Sequence, residues 1–439
     1  MTAVADRLLS VEEARGAVLD AIGGPTDAEL AWLSEGRGRI LAEDVMSLTA
    51  LPPWDNSAMD GYAVRAADIA AAVEDAPIRL QVIGEVRAGA APDRRVEPGT
   101  AIRIATGAPL PPGADAVVQV ELTTPAAADG SPTGERGRDA TGPLPATVLV
   151  HAALHGGTAV RHQGDDLGEG ERILAAGTRL SPAAIALIAG AGNPSVMVHR
   201  RPRVGVLATG DEVRPAGQDP GPAGIPDANG PGVAALVEEA GGEALSFGIA
   251  ADRIEDVRAR LAVALREGAD AIIVSGGVSV GPYDVVREAF GEIGRIELWR
   301  VAVQPGKPFA FGTVERPDGG RTLLFGLPGN PVSTFVTFEL FVRPAIRRYA
   351  GLPTDRLIRS VDHAVLLDPA SKSPGRRAYL RVVAERDDAG TPVRDAAGRV
   401  RVRLAGGPTG QGSHVLSALA VADALAIVPE ATDTLAAGS

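Results

Sequence analysis

The chain has 439 residues, with 43 Lys+Arg against 55 Asp+Glu, a formal charge of −12, six histidines and no cysteine. This length suits two to four domains of about 100–200 residues, and the missing cysteines exclude disulfides, thiolate catalysis, iron–sulfur clusters and cysteine-ligated zinc. The acidic balance argues against a nucleic-acid binder held by phosphate contacts. No apolar run approaches the ~20 residues of a membrane span, and the start MTAVADRLLSVEEARG lacks a basic-then-apolar leader, so no membrane role and a cytoplasmic location are expected. Along the chain, Ser10-Val11-Glu12-Glu13 forms an S-x-x-E capping box that predicts a helix to about Ile22. From Ile78 to Val120, short β-like runs are separated by Gly/Pro turns. Residues 123–147 are polar, Gly/Pro-rich and aperiodic, and read as a flexible, inessential loop. Ser181-Pro182 predicts a second helix, ended by Gly192-Asn193.

After Arg201-Pro202 the register changes. The runs VGVLATG, ALSFGIA, AIIVSGG and TLLFGLPGNP read as strands, alternating with helical patterns in VAALVEEAG, RIEDVRARLAVALREG, PYDVVREAF and VSTFVTFELF. Such alternation predicts βαβ units on a largely parallel sheet. From about Leu357 the runs become β-like again, which predicts a small all-β C-terminal domain.

Three of the apolar strands end in Gly-rich turns: Thr209-Gly210-Asp211-Glu212, Ser275-Gly276-Gly277-Val278-Ser279, and Pro328-Gly329-Asn330-Pro331-Val332-Ser333. The carboxyl ends of strands form the ligand crevice of open α/β sheets, and exposed amides there favour anions. Any one such turn occurs without function; three together, carrying the hydroxyls of Thr209, Ser275, Ser279 and Ser333, point to an anion crevice. Neither a Walker A loop nor a G-x-G-x-x-G fingerprint is present. Asp211, Glu212, Asp227, Asp252 and Asp284 surround these turns. They read either as helix caps or as ligands for a hard cation that binds with phosphates. Only two of the basic residues are lysines, Lys307 and Lys372. Lys307, in VAVQPGKPFAFG, reads as a solvated turn lysine or as a compact charge that arginine does not replace. In LPPWDNSAMDGYAV, Asx turns alone account for Asp55, Asn56, Ser57 and Asp60. The histidines show no clear metal-ligand spacing, and no Ser/His/Asp order is recognisable.

Eight blocks carry a resemblance. LPPWDNSAMDGYAVR, IRIATGAPLPPGADAVVQVE, VLATGDEV, IPDANG, IIVSGGVSVGPYD, VAVQPGKPFAFG, LFGLPGNPVS and GQGSHVLSALA resemble, in order, the signatures of the MoeA-type molybdopterin molybdotransferases, the family of the gephyrin E domain. The resemblance implies a multidomain α/β plus β fold and an L-shaped homodimer, with the active site between domain III of one subunit and domains of the other. The implied division is a linking domain I (1–50 and 148–201) and an inserted β-rich domain II (51–147). A Rossmann-like, doubly wound domain III (202–352) and a small β-barrel-like domain IV (353–439) follow. The implied reaction takes adenylylated molybdopterin and molybdate, requires Mg²⁺, releases AMP and places molybdenum on the dithiolene.

Matched to the family's motifs, Asp60 and Thr106 fall on functional positions in the insert. Glu212, Asp252 and Asp284 fall on acidic positions near metal and nucleotide. Lys307, Ser333, Arg376 and Ser413 fall on positions that hold molybdate, and Arg300 keeps the charge of a lysine found in some members. A molybdopterin adenylyltransferase and molybdoenzyme maturation proteins fit as partners. Gln304 stands where many members have a second lysine, which implies weaker molybdate binding. Pro226 replaces a tyrosine before Asp227. The chain ends at TDTLAAGS, where members continue through one more apolar strand, so either the C-terminal domain lacks an edge strand or the sequence stops short of it. The competing readings are a dimeric scaffold of the gephyrin type, a molybdopterin adenylyltransferase, and more distantly a nicotinamide-nucleotide amidase sharing the α/β domain.

Overall fold

The computed structural model describes residues 8–138, 142–277, 285–316 and 319–439. Helix α1 (Val11–Asp20) starts as the capping box requires: Ser10 Oγ accepts from the Glu13 amide at 3.1 Å, and Glu13 Oε2 accepts from the Ser10 amide at 2.8 Å. Its apolar face, Val11, Ala14 and Val18, is fully buried in the core of the α/β domain beside Phe338, Phe341 and Ile346. Leu9 continues this attachment by bonding the Arg300 carbonyl and the Ala302 amide. The first segment of the chain is therefore divided, since its helix belongs to the α/β core. Strand Ala28–Trp32, in contrast, pairs with Ser195–His199.

The insert is a six-stranded sheet of β1 (Gly61–Val64), β2 (Ile78–Val86), β3 (Thr100–Ile104), β4 (Ala116–Gln119), β5 (Thr123–Ala126) and β6 (Thr147–Val150), in the order β4-β1-β3-β2-β6-β5. The expectation of a flexible loop over 123–147 is corrected here. Both ends of that segment are sheet strands, and β5 is buried at all four positions. Its Thr and Ala side chains alternate too weakly to announce a strand, yet the ladder with β6 satisfies their backbone groups. The insert accordingly runs through Val150, since a boundary at 147 would cut β6. Helix α2 (Pro182–Gly190) has the Ser181 cap and first-turn proline that the sequence calls for.

The α/β domain contains β7 (Arg203–Thr209), α3 (Asn229–Ala240), β8 (Glu243–Ala250), α4 (Ile254–Arg266), β9 (Ala271–Ser275), α5 (Val285–Ile293), β10 (Arg295–Arg300), β11 (Pro308–Glu315), β12 (Arg321–Leu327), α6 (Pro331–Thr337) and α7 (Arg343–Tyr349). Its sheet order is β8-β7-β9-β12-β11-β10. The first four strands are parallel; β11 pairs antiparallel with β12, and β10 antiparallel with β11, so only β11 runs against the rest. The chain leaves β7 toward β8 on one side and returns to β9 on the other, which makes the β7/β9 boundary a topological switch point. Between α6 and α7 the helix widens to a π-turn, with the Arg343 amide reaching Phe338 O. Pro344, which has no amide and would crowd the preceding turn, accounts for that widening.

In the C-terminal part, β13 (Ala364–Leu366), β14 (Arg377–Ala384), β15 (Val400–Leu404) and β16 (Ala424–Val428) form one sheet, joined by Val303–Gln304 alongside β14. Residues Thr434–Leu435 pair with Ala370–Ser371, and Ser439 O accepts from the Leu366 amide at 2.9 Å. Among the described residues no helix is long and apolar enough to cross a membrane.

Candidate active site

At the switch point, the turns after β7, β9 and β12 meet. Gly276 has φ +100°, and a Cβ there would lie 2.5 Å from Thr209 O and 2.8 Å from Thr209 Oγ1. Only glycine permits that approach. The Gly276 amide donates to Leu327 O at 3.1 Å, and Gly329 lies against the Gly276 Cα. Asn229, at the start of α3, fastens two of the turns: its Nδ2 donates to Ser275 Oγ and to Gly329 O, both at 2.7 Å. Asn229 Oδ1 and Thr209 Oγ1 are buried and have no hydrogen-bond partner among the described residues. Leaving such groups unpaired costs about 1–3 kcal/mol each, so the crevice is built to receive polar ligand atoms. Pro328 O and Asn330 O both accept from Thr334 Oγ1, which fixes the third turn at the head of α6. Thr209, Gly210, Ser275, Gly276, Gly277, Pro328, Gly329, Asn330 and Pro331 are thus brought to one crevice by the three strand ends; Ser279 lies outside the described residues.

The acidic residues divide by role. Asp227 Oδ1 accepts from the Gly230 amide at 2.9 Å and caps the first turn of α3. Asp211 Oδ1 accepts from the Asp252 amide at 3.1 Å, which brings Asp252 beside the Asp211-Glu212 turn. Burial pushes the Asp252 carboxyl above the ordinary aspartate value; a hydrogen bond donated to that carboxylate by the Asp211 backbone amide opposes this, and the charges of Asp211 and Glu212 reinforce it. A cation placed among these oxygens would relieve that repulsion. The donor set is all oxygen and suits a hard divalent ion that brings phosphate and water ligands with it. Among the described residues no three acidic or imidazole side chains form a ready-made cage, and Asp284 lies outside the described residues.

A cationic cluster stands at the junction with the C-terminal sheet. Arg300 ends β10, Lys307 immediately precedes β11, and Arg376 immediately precedes β14. The Lys307 carbonyl accepts from the Val301 amide at 3.0 Å, which closes the turn between Arg300 and Lys307. Lys307 is held below the ordinary lysine value, first by Arg300, then by desolvation, then by Arg376. The charges of Arg300 and Arg376 thus bear on Lys307, a local positive field that suits an anion. Ser333, on α6, is buried, and the neighbouring Val332 amide donates to Ser413 O at 3.1 Å, so the two predicted serines sit on touching segments.

Sequence reasoning did not single out Arg381 or Asn229. Arg381 is buried, and its Nη2 donates to Gly410 O (2.7 Å) and Gly412 O (3.0 Å), gripping the turn that presents Ser413. Asn229 stood within the IPDANG block; Arg381 left no local signal. Gln304 also acquires a part, since its Oε1 accepts from the Ser373 amide at 2.9 Å and ties down the turn that carries Arg376. Lys372 is a structural residue: its buried ammonium donates to Glu430 O at 3.0 Å and lies 3.7 Å from Asp433.

Asp60 and Thr106 come together in the insert. Asp60 Oδ1 accepts from the Thr106 amide at 2.6 Å and from its hydroxyl at 2.9 Å. Gly61 next to Asp60 allows β1 to press against β4, for a Cβ there would lie 1.9 Å from Val118 O. This pair sits on a different sheet from the switch-point crevice.

Comparison with known proteins agrees along the chain. Residues 9–192 match the MoeA N-terminal region (domain I and II), residues 205–348 a probable molybdopterin binding domain, and residues 363–439 the MoeA C-terminal region (domain IV). A molybdopterin molybdenumtransferase of Haemophilus influenzae is 32% identical over 98% of this chain and 97% of its own. Molybdopterin molybdenumtransferase 1 of Mycobacterium tuberculosis is 33% identical over the same shares. The solved molybdopterin biosynthesis moeA protein of Pyrococcus horikoshii has a TM-score of 0.74 at 30% identity, covering 98% of this chain and 97% of that one.

Proposed function

We infer the chemistry below from one premise: this chain belongs to the MoeA family of molybdopterin molybdenumtransferases, enzymes that insert molybdenum into molybdopterin. The substrate read here is the adenylylated pterin, and the observation that carries this reading is the switch-point crevice with its two orphaned polar atoms, Thr209 Oγ1 and Asn229 Oδ1. The amides of the Thr209-Gly210, Gly276-Gly277 and Gly329-Asn330 turns hold the substrate's phosphates, at the end of the sheet where the strand order reverses. Glu212, Asp252 and Asp284 are the residues that would hold Mg²⁺, and Mg²⁺ bound there would draw charge from the phosphoanhydride oxygens as AMP departs.

Lys307, Arg300 and Arg376 supply the positive field for molybdate, with the hydroxyls of Ser333 and Ser413 as donors. An oxyanion surrounded by charged and neutral donors is held more tightly than by neutral donors alone. Molybdate is the metal source, and the pterin's own dithiolene supplies its sulfur ligands, consistent with a chain that has no thiolate to compete for the metal. Asp60 and Thr106 are assigned to the crevice of a second copy in a homodimer. The exposed Leu30, Trp32, Met46, Leu48 and Trp54 give the N-terminal part apolar surface that such an assembly could cover. The division into linking, inserted, α/β and C-terminal domains is retained, with the insert extended to Val150.

The test is reconstitution with adenylylated molybdopterin, Mg²⁺ and molybdate. Molybdate-dependent AMP release is expected, and it should collapse in Asp252→Ala and Lys307→Ala. A folded wild-type protein that released no AMP would overturn the reading and promote the scaffold alternative.

A further inference from the structure

A second cationic cleft lies away from the crevice, between the N-terminal part and the α/β domain. It is lined by Arg39, Arg179, His199, Arg201, Glu239 and Arg347, and has about 40 Å³ of free volume. That volume exceeds the ~10–15 Å³ one water needs, which gives room for a small oxyanion.

The charges of the lining do not cancel. Arg39 pairs with Glu29 through Nη2, and that nitrogen also donates to His199 O at 2.9 Å. Its side chain is only 10% exposed, yet Nε is buried with no partner among the described residues. Glu239 is committed elsewhere, to Arg343 (2.8 Å) and Arg359 (2.7 Å). Arg179 and Arg201 make no side-chain hydrogen bond or ion pair among the described residues. Arg347 bonds the Arg356 carbonyl at 3.2 Å, and its guanidinium is held below its usual value by burial and by Arg343; Glu339 opposes this, and Arg359 and Arg179 add to the repulsion. His199 Nδ1 donates to Thr26 O at 2.8 Å, which orients the ring at the cleft wall.

The competing account is that these arginines only complement the carboxyl ends of α3 and α7, which carry about half a negative charge each. Four guanidiniums less Glu29 and those two helix ends still leave roughly +2. An uncompensated pair of charges around a small cleft, with one buried guanidinium nitrogen unpartnered, calls for a counter-ion.

We propose that the cleft lined by Arg39, Arg179, Arg201 and Arg347 is a binding site for a tetrahedral dianion of the phosphate class, separate from the molybdate cluster. The ligand is either free phosphate or the phosphate of a nucleotide whose remainder projects into solvent. Guanidinium groups match such an ion by paired donors. Bound there, it would bridge residues 38–40, 179 and 199–201 to the ends of α3 and α7.

Titration calorimetry of the full-length protein at constant ionic strength tests this, with inorganic phosphate in one arm and AMP in the other. The variants are Lys307→Ala, which disables the molybdate cluster, and Arg179→Gln/Arg201→Gln, which removes two exposed, unpaired charges. One saturable phosphate event is expected to survive Lys307→Ala and to weaken at least tenfold in the double variant. AMP competing with that event identifies the nucleotide phosphate as the ligand, and phosphate binding unaffected by AMP identifies the free anion. If the double variant misfolds, Arg179→Gln alone is expected to weaken binding at least threefold. No saturable event in the wild type, loss of the event in Lys307→Ala, or unchanged affinity in the arginine variants would each overturn the proposal.

Discussion

Asn229→Ala tests a side chain that ties two turns of the crevice together through its amide nitrogen and leaves its oxygen open to the ligand. The amide side chain makes two hydrogen bonds of 2.7 Å from one nitrogen, to Ser275 Oγ after β9 and to Gly329 O after β12. A neutral hydrogen bond contributes about 0.5–1.5 kcal/mol net, so both together hold the two turns in register by about 1–3 kcal/mol. Ser275 and the Gly329 carbonyl would then turn to water, and the amides aimed at the ligand would lose their fixed spacing. If that energy appears as binding, affinity for AMP falls roughly 5–150-fold, since 1.4 kcal/mol is a factor of ten. Asn229→Asp should do worse than alanine, because it replaces the donor with a negative charge beside the phosphate seats. Calorimetric titration of AMP, with thermal unfolding followed in parallel, separates lost affinity from lost stability. An Asn229→Ala protein that binds AMP within twofold of wild type would refute the claim that this side chain organises the crevice.

Asp252→Asn should move two measurements in opposite directions. The folded-state pKa of Asp252 is raised, so the native state binds more protons than the unfolded state just above the ordinary aspartate pKa, and stability falls as pH rises through that window. Removing the charge therefore raises the thermal midpoint at neutral pH while divalent binding and AMP release are lost; a lower midpoint would contradict the electrostatic account. For Lys307, whose pKa is lowered, molybdate binding should be tight when the lysine is charged and weaken as pH rises, beginning below the ordinary lysine range. Arg300→Gln should shift that decline to higher pH, measured by calorimetry across a pH series. Asp270 is buried and receives Arg200 in two bonds (2.9 and 3.0 Å), the Arg203 amide at 2.8 Å and Arg316 at 3.3 Å. Asp270→Asn removes the buried carboxylate that pairs two half-buried arginines and should cost about 3 kcal/mol, the low end of the buried-pair range, read from chemical denaturation; a loss below 1 kcal/mol would count against it.

What the sequence disclosed and what it concealed follow from how far each interaction reaches. The capping box of α1 lies within four residues, so Ser10 and Glu13 announce it. The face on which α1 packs is set by Phe338, Phe341 and Ile346, more than 300 residues away, and no local pattern assigns that helix to the α/β core. Strand β5 shows the same limit, because threonines and a proline read as loop until β6 supplies the partner ladder.

At the site, the Gly-rich turns were legible as short motifs, while the members that hold them in place were not. Arg381 acts through carbonyls 29 and 31 positions later in the chain, Gln304 through an amide 69 positions later, and Asn229 through groups 46 and 100 positions away. Charge shows the same division between whole chain and locality. The net value of −12 describes the surface at large, but Arg300, Lys307 and Arg376 meet closely enough that Lys307 gives up its proton more readily than an ordinary lysine. An acidic protein can therefore hold a polyanionic pterin and an oxyanion, because binding answers to the few charges within a Debye length and not to their sum over the surface.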